Sequence, residues 1–223
     1  MALKFDQKFG IKEVADVAFY NQGDVKYNKE SGEMEIVSGK TPVLVFSTLK
    51  TSGLEFTGET TEARGGKGNA ILMSWDHSRE ATITLEDALL STESLATMLS
   101  NRPATDVGEQ NTVITINANG FPGTYTVIGK TYARGVDGRD HLMTFVVFKA
   151  KVSAEANLEM SADGDPSTLN MTLKVLRCTD DAKDLALGAE SGDMVKLIFD
   201  NNDNANVKTP TYQFPGSDKT YGG

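Results

Sequence analysis

The stretch Gly65-Gly66-Lys67-Gly68 is where this 223-residue chain comes nearest to anion chemistry, because glycines let backbone amides approach a phosphate and a lysine neutralises it. The spacing fails. A phosphate-binding loop needs glycine at position 61, where Thr61 stands, and a hydroxyl after Lys67, where Gly68 stands; the dinucleotide pattern fails at Ile71. The glycines therefore read as a structural turn or an interface loop. His77 and His141 are the only histidines, and each lacks a Cys or His neighbour at metal-ligand spacing. Cys178 with either histidine is a pairing that any chain of this composition offers, so no nucleophile is assigned. Asp200, Asn202 and Asn204 match the first three ligand positions of a calcium loop, but Ala205 replaces its glycine and Thr211 its bidentate glutamate. Asp163-Gly164-Asp165 reads as a turn. No catalytic, metal-binding or cofactor-binding residue is assigned, and an enzyme is not expected.

The composition narrows the alternatives. With 31 acidic and 22 basic residues the chain carries −9, which opposes sequence-specific binding to a phosphate polyanion. Nine acidic residues between Glu155 and Asp193 face only Lys174, Arg177 and Lys183, so that segment carries −6 and reads as a solvated surface. A single cysteine excludes an internal disulfide framework, and the opening residues lack a basic-then-apolar stretch, so a reducing cytosol is the expected folding compartment. The apolar run in His141–Ala150 is far short of the roughly 18 residues of a membrane span.

The elements that would position these residues are mostly strands. Ala81, Ile83 and Leu85 alternate with Thr82, Thr84 and Glu86, the clearest period-two pattern in the chain, and Leu54 and Phe56 alternate with Glu55, Thr57 and Glu59. Each such strand has one packed and one wet face. Val25–Val37 reads as a hairpin around Lys29–Gly32, and residues 43–49 as a strand buried on both faces. Trp75-Asp76 reads as a transition from core to loop. Val14, Val17 and Ala18 predict a short amphipathic helix or a docking arm within Asp6–Tyr20. A second helix follows Ser91 or Thr92, either of which can accept its first free amides, with Leu95, Met98 and Leu99 as its apolar stripe. Residues 112–118 and 124–133 predict a hairpin across Asn119–Gly123, and 142–152, 169–176 and 195–199 predict further strands. A short helix over 180–187 would be capped by Thr179 and closed by Gly188.

The expected fold is mainly β, a β-sandwich or half-barrel with one or two short flanking helices. The expected organisation is one domain over 1–200, with 108–133 a possible hairpin insertion and 201–223 an Asn/Asp/Gly-rich arm that cannot build a core alone.

The ordered combination Thr57-Gly58-Glu59-Thr60, Ala63-Arg64-Gly65-Gly66-Lys67-Gly68-Asn69, Trp75-Asp76 and Thr84-Leu85-Glu86-Asp87-Ala88-Leu89 resembles the tail tube (major tail) proteins of tailed bacteriophages, particularly those infecting Gram-positive hosts. The segments Phe9–Asn21 and Val43–Phe56 are similar to the same family, and the likeness extends from Phe9 to Leu99. The resemblance implies a virion structural protein that assembles into stacked, hexameric rings whose inner strands form a channel for DNA. Its partners would be other copies of itself, together with sheath, tail-tip and terminator proteins, and genomic DNA would pass without specific binding. It would be assembled in the host cytoplasm and reside in the virion tail. On this analogy Arg64, Gly65, Gly66, Lys67, Gly68 and Asn69 are ring-to-ring contacts, with Arg64 and Lys67 as charged anchors. Glu55, Glu59, Glu80 and Glu86 are candidates for channel-lining carboxylates, which repel a phosphate backbone. A tail-tip, baseplate or capsid-decoration component, or a monomeric calcium- or ligand-binding β-sandwich, are the competing expectations.

Overall fold

A computed structural model describes residues 8–11, 14–89, 91–100, 102–107, 111–136, 138–153 and 168–200. The chain runs β1 (Phe9–Ile11), β2 (Asp16–Asn21), β3 (Val25–Asn28), β4 (Glu33–Ile36), β5 (Leu44–Phe46), β6 (Leu49–Gly65), β7 (Ala70–Asp87) and α1 (Thr92–Leu99). It continues through β8 (Thr105–Val107), β9 (Asn111–Val113), β10 (Thr124–Gly135), β11 (Asp140–Val152), β12 (Leu169–Val175), α2 (Ala182–Ala186) and β13 (Val195–Phe199). The protein is mainly β, as expected. One antiparallel sheet is ordered β5-β2-β10-β11-β12-β7-β6, with β1 added to the end of β10 and β13 to the first half of β11.

Both faces of this sheet are covered near its middle. On one face Val17, Phe19, Val127, Val147, Ile83, Leu85, Met171 and Leu173 close a core over which α1 lays Met98. On the other, Ala18, Tyr20, Ile128, Val146 and Phe148 pack under the β3–β4 hairpin and under Leu187 and Ala189 beside α2. Double coverage explains why β2 was legible as a helix. Val17, Ala18, Phe19 and Tyr20 are all buried, so the strand shows no period-two alternation and its apolar residues also satisfy helical spacing. The expected N-terminal helix is thus replaced by β2, and β5 extends the same double layer, with Leu44 and Phe46 on one face and Val45 on the other.

Close cross-strand packing sets other positions. Gly129 faces Phe145 across β10 and β11, and a Cβ there would overlap the Phe145 ring, so the glycine makes room for the aromatic. The expected hairpin across Asn119–Gly123 is not formed: β9 pairs with β8, and β10 runs between β2 and β11 in the main sheet. The apolar pattern of 124–133 belongs to a central strand that is paired on both edges, which local turn residues do not reveal.

Both helices are fixed at their N-termini. Ser91 caps α1 through a reciprocal pair with Ser94, whose amide donates to Ser91 Oγ at 3.0 Å while Ser94 Oγ accepts from the Ser91 amide at 3.0 Å. The cap of α2 is Asp181, whose Oδ1 accepts from the amides of Lys183 and Asp184 at 3.0 and 2.9 Å. The helix is therefore shorter than the expected 180–187, and Thr179 does not cap it. Its hydroxyl donates instead to Asp181 and Asp184. Asp184 is fully buried, and one carboxylate oxygen takes the Lys149 ammonium at 2.7 Å and the Thr179 amide at 2.7 Å. This pair ties α2 to β11.

Candidate functional site

The longest element pair in the protein is the β6–β7 hairpin. β12 pairs with β7 only from Ala81 to Asp87, so among the described residues the hairpin from Thr57 and Glu80 outward has no third strand. Nine residues of β6 then project from the sheet, a reach of about 30 Å at 3.4 Å per residue. We refer to this projection as the arm. Every residue from 66 to 80 is exposed.

The expected interface loop forms the arm's end. Gly66, Lys67, Gly68 and Asn69 make the reversal, with positive φ of 76° at Gly66, 91° at Gly68 and 52° at Asn69. The Asn69 amide donates to the Gly66 carbonyl at 3.2 Å. The glycines here serve a strand-to-strand turn, whereas a phosphate loop leads from a strand into a helix. Arg64 is engaged within its own strand, donating from Nε and Nη2 to Glu62 at 2.9 and 2.6 Å, while Lys67 stands at the exposed turn.

Strand register assigns the four glutamates to a common surface. Glu55 opposes Thr82, Thr57 opposes Glu80, Thr51 opposes Glu86, and Glu59 opposes His77. Since cross-strand partners share a face and alternate residues return to it, Glu55, Glu59, Glu80 and Glu86 all lie on the face opposite to Ile83 and Leu85. The face extends over β12 through the exposed Asn170, Thr172 and Lys174, with Lys151 of β11 next in register. Four carboxylates against two ammonium groups leave it acidic.

Two irregularities alter the arm's own surfaces. The pairing shifts between Thr57 and Glu59, at Ser78 with φ 54°, and again between Ala63 and Arg64. The first shift reverses the parity of β7, bringing His77, Trp75 and Met73 onto the same face as Glu59. His77 Nε2 lies 2.8 Å from Thr61 Oγ1 and its Nδ1 3.7 Å from Glu59. On the opposite face Thr60 donates to Asp76 at 2.7 Å and the Arg79 guanidinium stands 5.6 Å from the Phe56 ring centroid. Trp75 is thus a mid-strand, half-exposed residue, not a transition from core to loop.

Sequence reasoning missed the arm's apolar surface. Ile71, Leu72 and Met73 are 51%, 68% and 55% exposed and Trp75 is 49% exposed. The signal was an apolar triplet directly after a glycine turn: on a strand, consecutive apolar residues point to both faces, and a strand with one buried face leaves some of them in water.

The other chemistry-bearing residues stay apart. His141 is buried on β11, with Nδ1 3.3 Å from the Asp200 carbonyl oxygen, and His77 is on the arm. Burial pushes the Cys178 thiol up to about 12, with further raising by Asp184, so it is no thiolate nucleophile at neutral pH. Among the described residues no group of three His, Cys, Asp or Glu could hold a metal, and no helix is long and apolar enough to cross a membrane. Asn202, Asn204, Asp163 and Asp165 lie outside the described residues.

A β protein built on one nine-stranded antiparallel sheet, with a 17-residue edge strand that is open among the described residues and a projecting hairpin, has the form of a structural subunit. The family model of the YomU/Tube protein family matches residues 9–109 and 104–187, and the chain belongs to that family of phage tail tube structural proteins. No curated protein matches the chain.

Proposed function

We propose that copies of this chain join side by side into rings, six to a ring, and that the rings stack into the tail tube through which phage DNA passes. The observation that carries this reading is the acidic face. Glu55, Glu59, Glu80 and Glu86 share one side of the β12-β7-β6 region, and that region ends in the open edge of β6. An edge of 17 residues is a template for pairing with another chain, and closing sheets from several copies into a barrel removes it. With the core on the outside of that barrel, the carboxylates face the channel and repel a duplex carrying one charge per about 1.7 Å, so DNA slides without adhering. Gly65–Asn69, with Arg64 and Lys67, meets the adjacent ring. Sheath, tail-tip and terminator proteins contact the finished tube, which is assembled in the host cytoplasm and resides in the virion tail.

Negative-stain electron microscopy of the purified protein over a concentration series tests this reading. Long hollow tubes with six-fold end views are expected. Isolated rings at every concentration would assign the chain to a tail-tip or adaptor role, and monomers throughout would refute self-assembly.

A further inference from the structure

We propose that Thr211–Phe214 of this chain returns as one more antiparallel strand on the edge of β13 that faces away from β11, seating Tyr212 and Phe214 in the apolar groove beside it. This goes beyond the tube reading, because it concerns how a single subunit completes its own sheet. β13 pairs with β11 along one edge, and among the described residues no strand lies on the other. Bonds between the two strands run through even-numbered residues of β13 and its flanks: the Asp200 amide donates to the Leu142 carbonyl at 2.9 Å, and the Phe148 amide to the Met194 carbonyl at 3.3 Å. Bonding direction alternates along a strand, so Val195 and Leu197 turn their amides and carbonyls to the second edge. The groove there has a volume of about 510 Å³ and lies on the face of Leu197 and Phe199, with Leu54 and Ile83 of the β6–β7 hairpin and Met143 and Phe145 of β11 also lining it. Ile11, Val14 and Leu197 within it are 63%, 42% and 52% exposed, an apolar surface that calls for a cover.

The sequence beyond Asp200, the last described residue, supplies a strand of the right pattern. Pro210 and Pro215 bracket Thr211-Tyr212-Gln213-Phe214, whose two aromatic residues alternate with two polar ones at the period of a strand. Proline suits the position that opens a strand and stops a ladder where it recurs. Asn201, Asn202, Asp203 and Asn204 before it favour a reversal of the chain. In an antiparallel return, Tyr212 stands opposite Leu197 and Phe214 opposite Val195, the two β13 residues whose backbone groups point that way. Cross-strand partners share a face, so both rings enter the groove, each able to bury about 150–250 Å², while Thr211 and Gln213 face away. Reach and concentration decide that the occupant is the chain's own segment. Leu197 is three residues back from Asp200, about 10 Å at 3.4 Å per residue. The ten residues from 201 to 210 span up to about 33 Å. A link that short holds the segment at an effective concentration in the millimolar range, above that of a second copy in dilute solution. Pairing at β13 leaves β6, among the described residues, as the long edge offered to other copies.

A disulfide tests the pairing in the full-length chain. Leu197→Cys with Tyr212→Cys is oxidised in dilute solution; opposite residues of a bonded antiparallel pair have Cα atoms about 5.5 Å apart, within the reach of a disulfide. Cys178 is buried and takes no part. The expected product is a bridged monomer that migrates faster on a non-reducing gel and reverts on reduction, whereas Leu197→Cys with Gln213→Cys, whose side chains leave opposite faces, stays unbridged. Disulfide-linked dimers would assign the strand to a second copy, and two free thiols would remove the segment from β13; either result overturns the inference. If the cysteine chain does not fold, amide hydrogen exchange of the dilute parent subunit decides. The amides of Val195 and Leu197 are expected to exchange slowly in the parent and to lose that protection in Tyr212→Ser with Phe214→Ser; rapid exchange in the parent would overturn the strand. Electron microscopy separates this outcome from the tube reading. Tubes from a chain whose β13 edge exchanges rapidly would overturn the added strand alone, and a protected edge in a chain that forms no tubes would overturn the tube reading alone.

Discussion

Lys149 and Asp184 make the sharpest test of how the sheet holds its outer layer. Lys149 enters from β11 with a side chain only 17% exposed, and its ammonium sits 2.7 Å from an Asp184 carboxylate that is entirely out of water. Replacing Lys149 by Met keeps the packed stem and removes the charge, leaving Asp184 with the Thr179 amide and hydroxyl but no cation. An uncompensated buried carboxylate costs about 3–5 kcal/mol. For a chain of this size each kcal/mol lowers Tm by about 2–4 °C, so a fall of roughly 6–20 °C is expected. Asp184→Leu in the same chain removes the stranded charge, and the double variant should return to within about 2 kcal/mol of the parent, because a well-packed apolar pair replaces a buried ion pair at little cost. Urea unfolding followed by far-ultraviolet circular dichroism is the suitable assay, since Trp75 lies on the arm and its fluorescence reports the arm rather than the core. A single variant within 0.5 kcal/mol of the parent, or a double variant no better than the single, would refute the reasoning.

Gly129→Ala should destabilise by about 1–3 kcal/mol through overlap with the Phe145 ring, and Phe145→Leu in the same chain should restore part of the loss in a denaturation midpoint. Hydrogen bonds from the Asp184 amide and Lys149 hold the Asp181 carboxyl down at about 2, so its stabilising contribution is present above its ordinary value of 3.8 and is lost as pH falls toward 2. Asp181→Asn should flatten the dependence of Tm on pH in that window. Burial lowers the Lys149 ammonium, but contacts with Asp184 and Asp181 outweigh it and raise it, so its contribution fades only as pH climbs above the usual lysine range near 10.5; a melting series at alkaline pH should show that loss. Arg64→Glu with Lys67→Glu should give a folded subunit that forms no long tubes by microscopy; unchanged tubes would remove both residues from the ring contact. Changing Glu55, Glu59, Glu80 and Glu86 together to Gln should leave tubes intact while raising their retention of added duplex DNA at low salt, and unchanged retention would place this face outside the channel.

What could be read from the sequence follows from how many faces of each strand are buried. Ala81, Ile83 and Leu85 alternate with threonines because one side of β7 meets the core and the other does not, and the same parity placed the four glutamates together. β2 failed the same reading because Val17 to Tyr20 are covered on both sides by segments distant in sequence. β10 failed because its partners, β2 and β11, are chosen by tertiary packing rather than by the turn preceding it. Ser91 marked its helix correctly, while the cap of α2 fell two residues later than expected because Thr179 is drawn into the buried carboxylate cluster. In the arm, residues 71–80 obey no single period, since each pairing shift changes which residues share a face.

The reversal at Ser78 separates two problems that most strands must solve together. In an uninterrupted strand, inserting or deleting one residue flips every side chain beyond it, so the exposed surface at the tip and the packed residues at the root would have to change in concert. Here the extra residue absorbs that coupling. The root keeps Ala81, Ile83 and Leu85 inward whatever lies beyond Glu80, and the tip can exchange one apolar or charged pattern for another without disturbing the core.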